Sequence, residues 1–211
     1  MITPDFFDRV LIGFDNGLRT LFAEPAATRK QPSAEVVAVP LSPQDKLAAA
    51  RLMRVNHSGE VAAQALYQGQ ALTARTPEAR ALLLAAAKEE QDHLAWCDAR
   101  IDALGGKKSV LNPLWYAGSF ALGVASGMLG DQWNMAFLAE TERQVEGHLS
   151  EHLDRLPAQD TQSRAVVEQM RADEARHAQT AVNHGAANMP DAVKRVMQLG
   201  SKVMTTTSHW V

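Results

Sequence analysis

Glu89-Glu90-Gln91-Asp92-His93-Leu94 and Asp173-Glu174-Ala175-Arg176-His177 decide how this chain folds. Each holds a Glu-x-x-His step, which puts two metal-binding side chains on one face of a helix. Each step also follows a lone glutamate at the distance of a helical hairpin: Glu60 precedes Glu90 by 30 residues, and Glu142 precedes Glu174 by 32. The chain reads as one helix pair written twice. A single Glu-x-x-His is common by chance and usually solvated, but two copies at matching distances from a lone glutamate predict a shared site. The expected fold is all-α, a ferritin-like four-helix bundle with its metal ligands projecting inward from facing helices.

Punctuation supports four long helices. Ser42-Pro43 opens the first as N-cap and first-turn proline, running to about Arg75. Thr76-Pro77-Glu78 repeats that signal, and Gly105-Gly106 stops the second helix through positive φ. A third helix is expected from near Asp131 to before Pro157, a fourth from about Thr161 to near Gly185, and a short fifth from Pro190 towards Thr205. Ahead of them, residues 5–22 carry Phe7, Val10, Leu11, Phe14, Leu18, Leu21 and Phe22 at helical intervals, with Asp5 and Asp8 among the charges between. This N-terminal amphipathic helix is expected to dock on the bundle rather than lie on a membrane. Residues 23–41 read as an aperiodic linker, so the chain divides into 1–41, helix and linker, and 42–211, the di-iron domain.

Composition narrows the function. In 211 residues, 46% are hydrophobic and 21% charged, ordinary for a globular chain, and a net charge of −3 offers no basic face for nucleic acid. Neither a Gly-x-Gly-x-x-Gly nor a Walker-type loop is present, which argues against a nucleotide fold. Met1-Ile2-Thr3-Pro4-Asp5 lacks the pattern of a secretory signal, so no export is expected. The lone Cys97 cannot form an internal disulfide and is expected to fill core space.

Of 24 acidic residues, periodicity selects four. Glu142 interrupts the apolar line of Met135, Leu138, Val145, Leu149 and Leu156, while Glu140 and Glu146 fall to its flanks. Glu90 and His93 lie with Leu83, Ala86, Cys97 and Ile101, leaving Glu89 and Asp92 off the line; Glu174 and His177 lie with Val167, Met170 and Ala181, and Glu60 with Met53, Asn56, Ala63 and Tyr67. Four carboxylates buried at one level repel one another unless protonated or neutralised by cations. Mixed carboxylate and imidazole donors suit iron or manganese better than calcium or a structural zinc. Around them, His57, His148 and Tyr67 are candidates for supporting the ligands, His57 alternatively as a capping residue and Tyr67 on the Glu60 seam; His148 and His152 could line a cavity, with a surface position expected for at least one of them, and His184 reads as a core position.

From Ser109 to Gly130 no residue is charged across 22 positions, long enough to suggest a transmembrane span. A span would put Glu60 and Glu90 on the opposite side of a bilayer from Glu142 and Glu174, and they could not share ions. The segment is expected instead to be the long apolar crossover between the second and third bundle helices, either packed within the protein or an oligomer or dipping into one leaflet. Monotopic membrane contact is favoured. Gly123 and Gly127 would permit a close helix contact.

Val55-Asn56-His57-Ser58-Gly59-Glu60, the Glu89–Leu94 stretch, Asn112-Pro113-Leu114-Trp115-Tyr116 and the Asp173–His177 stretch together resemble the demethoxyubiquinone hydroxylase family of ubiquinone biosynthesis, over residues 42 to 211. The resemblance implies six ligands to two iron ions, Glu60, Glu90, His93, Glu142, Glu174 and His177, with Glu90 and Glu174 bridging. It implies O2 as co-substrate, NADH or the reduced quinone as electron source, and a polyprenylated quinone substrate hydroxylated on its ring. It further implies a peripheral place on the cytoplasmic side of the cell membrane; the apolar crossover adds a homo-oligomer or a lipid-presenting partner as expectations. Many members carry His-Tyr where this chain has His148-Leu149, so no role of that tyrosine transfers. The rival reading is a ferritin-like ferroxidase or iron-storage protein with the same ligands, against which the apolar crossover counts.

Overall fold

The computed structural model describes residues 6–211. Its helices are α1 (Phe6–Phe22), α2 (Pro43–Thr73), α3 (Pro77–Ala103), α4 (Asn112–Met128), α5 (Asp131–Arg155), α6 (Thr161–Asn183) and α7 (Asp191–Ser208), with a 3-10 turn at Pro32–Glu35. No strand occurs among the described residues. The expected helix start at Asp5 lies outside them.

Local chemistry sets the boundaries. Ser42 caps α2 by accepting the Asp45 amide at 3.1 Å, Thr76 caps α3 by accepting the Ala79 amide at 3.2 Å, and Asp160 caps α6 through the Ser163 amide at 3.0 Å. Of the Gly105-Gly106 pair only Gly105 takes positive φ, at 71°; Gly106 is instead pressed between Ala50 and Ile101. Asp131 at the start of α5 accepts the Arg75 and Thr76 amides, each at 2.9 Å, and so ties the α2–α3 turn to the second hairpin.

α2 pairs with α3 and α5 with α6, giving a ferritin-like bundle in which α4 is the crossover, packed along α2. A Cβ added at Gly123 would overlap the Leu66 carbonyl, one at Gly69 the Phe120 carbonyl, and one at Gly127 the Thr73 hydroxyl. The two backbones therefore touch, which only glycine on both sides allows. The bundle interior has two apolar clusters. One gathers Met53, Trp96, Cys97, Ile101, Leu149, Val167 and Met170; the other gathers Leu66, Tyr67, Leu83, Met135, Leu138 and Ala181. Cys97 is free and buried, as core filling requires. The polar layer described below belongs to the same inward seams as these clusters.

One expectation is borne out and three are corrected. α1 does dock on the bundle, but with its small and polar face: Gly17 lies against the Tyr116 ring, and Thr20 Oγ1 donates to Gln64 Oε1 at 2.7 Å. Close approach needs small residues, so the apolar side chains turn outward and Leu11, Phe14 and Phe22 are about two-thirds exposed or more (67%, 68% and 74%). The 23–41 segment is not a free linker, because Thr28 and Arg29 bind Asp92. His184 is exposed at the end of α6, its Nδ1 satisfied by the Thr180 carbonyl at 2.8 Å, because α6 has ended there and has nothing to pack against. α7, expected to be short, runs 18 residues.

Candidate metal centre

Four helices converge six side chains on one buried layer. Glu60 on α2, Glu90 and His93 on α3, Glu142 on α5, and Glu174 and His177 on α6 are all 6% exposed or less. Their donor atoms form two overlapping groups, Glu60, Glu90, His93 and Glu174 in one and Glu90, Glu142, Glu174 and His177 in the other; in each, one atom per residue lies within 4.8 Å of all the others. Glu90 and Glu174 belong to both groups. That is the topology of two ion positions with two carboxylates between them.

Both imidazoles turn the same nitrogen inward. His93 Nδ1 lies 2.8 Å from Glu90 Oε2 and 3.1 Å from Glu174 Oε1; His177 Nδ1 lies 3.2 Å from Glu174 Oε2 and 3.4 Å from Glu90 Oε1. Both outward nitrogens face acids, but only His93 Nε2 is hydrogen-bonded; His177 Nε2 makes an ion-pair contact without a hydrogen bond. His93 Nε2 meets Asp173 Oδ2 at 3.0 Å, and His177 Nε2 meets Glu89 Oε2 at 3.2 Å. The acid immediately before each shared glutamate thus supports the histidine of the other hairpin. This doubled acid-Glu-x-x-His pattern is visible in the sequence, but a reading that follows only the apolar seam passes over it. Asp92 and Glu140, both off the apolar seam, are nevertheless buried, as is Asp173. Fixed cations explain the two aspartates: Arg29 bonds both, and Arg176 bonds Asp173 Oδ1 at 2.7 Å.

Burial raises Glu60 and Glu142 well above the usual carboxylate range, with repulsion from Glu90 and Glu174 respectively adding to it. Burial acts on Glu90 in the same sense, but His93, His177 and Glu60 overcome it and hold Glu90 low. Both imidazoles are raised against their own desolvation, His93 chiefly by Glu90 and His177 by Glu142 and Glu174. Such a cluster is neutralised by protons or by cations. The donor set fits cations: Glu90 Oε1 and Glu174 Oε1 are buried, point into the layer and accept no hydrogen bond, and an unpartnered buried carboxylate oxygen is costly. Two divalent ions balance four carboxylates.

Of the supporting candidates, Tyr67 reaches the layer: fully buried, its hydroxyl donates to Glu142 Oε1. Burial, then Glu142, pushes that phenol well above its ordinary range, so it stays a donor. His57 does not face the layer. Its Nδ1 meets Asn112 Nδ2 at 3.3 Å, because one turn below Glu60 the helix presents it to the start of α4. His148 lies against His152, ring centroids 3.9 Å apart and planes tilted by 56°, in a cleft of about 950 Å³ between α5 and α7. No hydrogen bond or ion pair joins it to the six residues.

Residues 47–208 match the family described as ubiquinone biosynthesis protein COQ7. The chain is 57% identical over 204 residues to the 3-demethoxyubiquinol 3-hydroxylase of Nitrosomonas eutropha, spanning 97% of this chain and 98% of that protein. It is 57% identical to the protein of that name from Laribacter hongkongensis (97% and 99% covered) and 56% identical to that from Variovorax paradoxus (96% and 97%).

Proposed function

The chain belongs to the COQ7 family of ubiquinone biosynthesis proteins, and we propose that it is the 3-demethoxyubiquinol 3-hydroxylase of its organism, adding one oxygen atom from O2 to the ring of a polyprenylated quinol. The observation that carries the reading is the doubled donor set, two four-residue groups sharing Glu90 and Glu174, in a chain more than half identical to proteins bearing that name. We assign Glu60, Glu90, His93, Glu142, Glu174 and His177 as ligands to two iron ions per chain, within a di-iron domain spanning residues 42–211. Bound there, the iron pair would supply O2 activation and redox capacity. The protein's own residues orient and insulate. Asp173 hydrogen-bonds His93 Nε2 and Glu89 lies against His177 Nε2, which leaves both Nδ1 atoms inward; the Tyr67 hydroxyl donates to Glu142 Oε1, and the two apolar clusters keep bulk water from the layer. Two electrons come from outside, from NADH or from the reduced quinone.

The substrate's prenyl chain calls for a lipid surface. Outward apolar side chains on α1 (Leu11, Phe14) and α4 (Leu114, Leu122) support peripheral attachment to the cytoplasmic side of the cell membrane, and no described helix is long and apolar enough to cross it. The same surface is where a second copy or a lipid-presenting partner would bind.

The test is anaerobic reduction of the iron-loaded protein, followed by O2 and a demethoxyubiquinol analogue. A quinone heavier by one oxygen with two irons per chain is the expected result. Iron oxidation with unchanged quinone would sink the hydroxylase and leave the iron-storage reading.

A further inference from the structure

Asp173 uses its two oxygens differently. Oδ1 is satisfied from its own helix, by Arg176 at 2.7 Å and Gln169 at 3.1 Å, whereas Oδ2 is shared between His93 Nε2 at 3.0 Å and Arg29 Nη1 at 2.8 Å. Arg29 arrives from the segment between α1 and α2, outside the residues that match the family. The same guanidinium donates through Nε to Asp92 Oδ2 at 2.8 Å, and the Thr28 amide and hydroxyl also bond Asp92. Its Cζ lies over the Trp96 ring, 4.7 Å from the centre, and the Trp96 and His93 ring centres are 5.4 Å apart. Arg29 is one-third exposed, but both carboxylates it joins are nearly completely buried.

We infer that Arg29 is a positioning residue for His93, acting through Asp173 and Trp96, so that residues 28–29 are a working part of the metal centre. The inference rests on the di-iron reading above. A guanidinium presents two N–H groups in a fixed plane, so one fork sets the distance between Asp92 on α3 and Asp173 on α6 and fixes the tilt of the Asp173 carboxylate. That tilt decides how squarely His93 Nε2–H is received, and with it the aim of Nδ1. Trp96, between the cation and the imidazole, closes the remaining direction of rotation. The brace on the His177 side is more exposed: Glu89 is one-third exposed and is paired with Arg176, itself half exposed and shared with Asp173.

The test uses the full chain loaded anaerobically with 57Fe2+, read by Mössbauer spectroscopy and by iron titration, with circular dichroism to check the fold. Arg29→Ala is expected to shift one of two iron signals and weaken one of two binding steps by about tenfold, the usual effect of losing an outer partner of a ligand. Arg29→Lys is expected to give an intermediate shift, because a point charge cannot serve both carboxylates, and it carries the comparison if the alanine variant fails to fold. Lys30→Ala, which removes only the exposed pair with Glu35, should leave both signals as they are. Unchanged signals in Arg29→Ala, or an equal change in both, would overturn the inference alone. A wild-type chain that takes up no iron pair would overturn the di-iron reading first.

Discussion

The two hairpins supply the same kinds of group to the centre but finish them differently. On the His93 side, the outward nitrogen meets an aspartate that is 5% exposed, braced by Arg29 and flanked by a buried tryptophan. On the His177 side it meets Glu89, 34% exposed and bound to an arginine that is half in solvent. Desolvated, charge-assisted hydrogen bonds are stiff and exposed ones are weak. The pseudo-symmetric layer therefore has a sealed end and a soft end. On the function proposed above, a centre holding two ions and admitting O2 and a ring would gain from this asymmetry, because the ligands at the soft end could shift without unseating the other ion.

The largest effect should come where the hairpins cannot be told apart. Glu174→Ala removes a donor common to both groups, so iron should fall below one per chain and hydroxylation should vanish; retained turnover would remove Glu174 from the ligand set. Next comes the contrast itself. Asp173→Asn is expected to weaken iron binding by ~10 to 100-fold and Glu89→Gln by no more than a few-fold, both read by anaerobic titration, and equal losses would show that sealed and soft ends do not differ. Gly123→Ala tests the frame on the side of Glu60: overlap with the Leu66 carbonyl should force α4 off α2 at a cost of about 1–3 kcal/mol, seen as a lowered midpoint in denaturant.

The smallest effect concerns pH. Burial, then Lys108, lowers His57 to about 3, and burial, then His148, Arg155 and His209, lowers His152 to about 2. Both rings are neutral when folded and take a proton near pH 6.5 when unfolded. The unfolded chain thus binds more protons below that pH, so the stability from these sites is complete above about 6.5 and falls by up to ~1.4 kcal/mol per pH unit and histidine as pH drops towards 3. His57→Gln should flatten that slope in urea unfolding between pH 6 and 4.5. An unaltered slope would mean that other groups govern it.

How much of this was legible depended on whether a residue's role is written in its own helix. The seams containing Glu60, Glu90, Glu142 and Glu174 are periodic, and the caps at Ser42 and Thr76 are local, so both could be read directly. Gly123 and Gly127 signalled a close contact but not its partner, which was Leu66 and Thr73 on α2. Arg29 could not be read, because its meaning depends on two aspartates brought to it by α3 and α6. α1 was expected to dock and does, but amphipathicity states only that a helix has two faces and not which one meets the bundle; Gly17 and Thr20 take the interface, being small and polar. His57 was placed one turn wrong, where three residues along a helix were enough to exchange the metal layer for the foot of α4.

Arg29 and Asp173 lie 144 positions apart. During synthesis the ribosome releases the strap long before its second anchor, and a nascent chain that has exposed α2 and α3 owns Glu60, Glu90 and His93 with nothing to hold the outer face of that imidazole. Half a bundle also shows water an unpaired seam of carboxylates. The layer is completed only as a late, long-range event of folding, so on the two-iron assignment proposed above iron would be captured by the released chain rather than built in as it emerges.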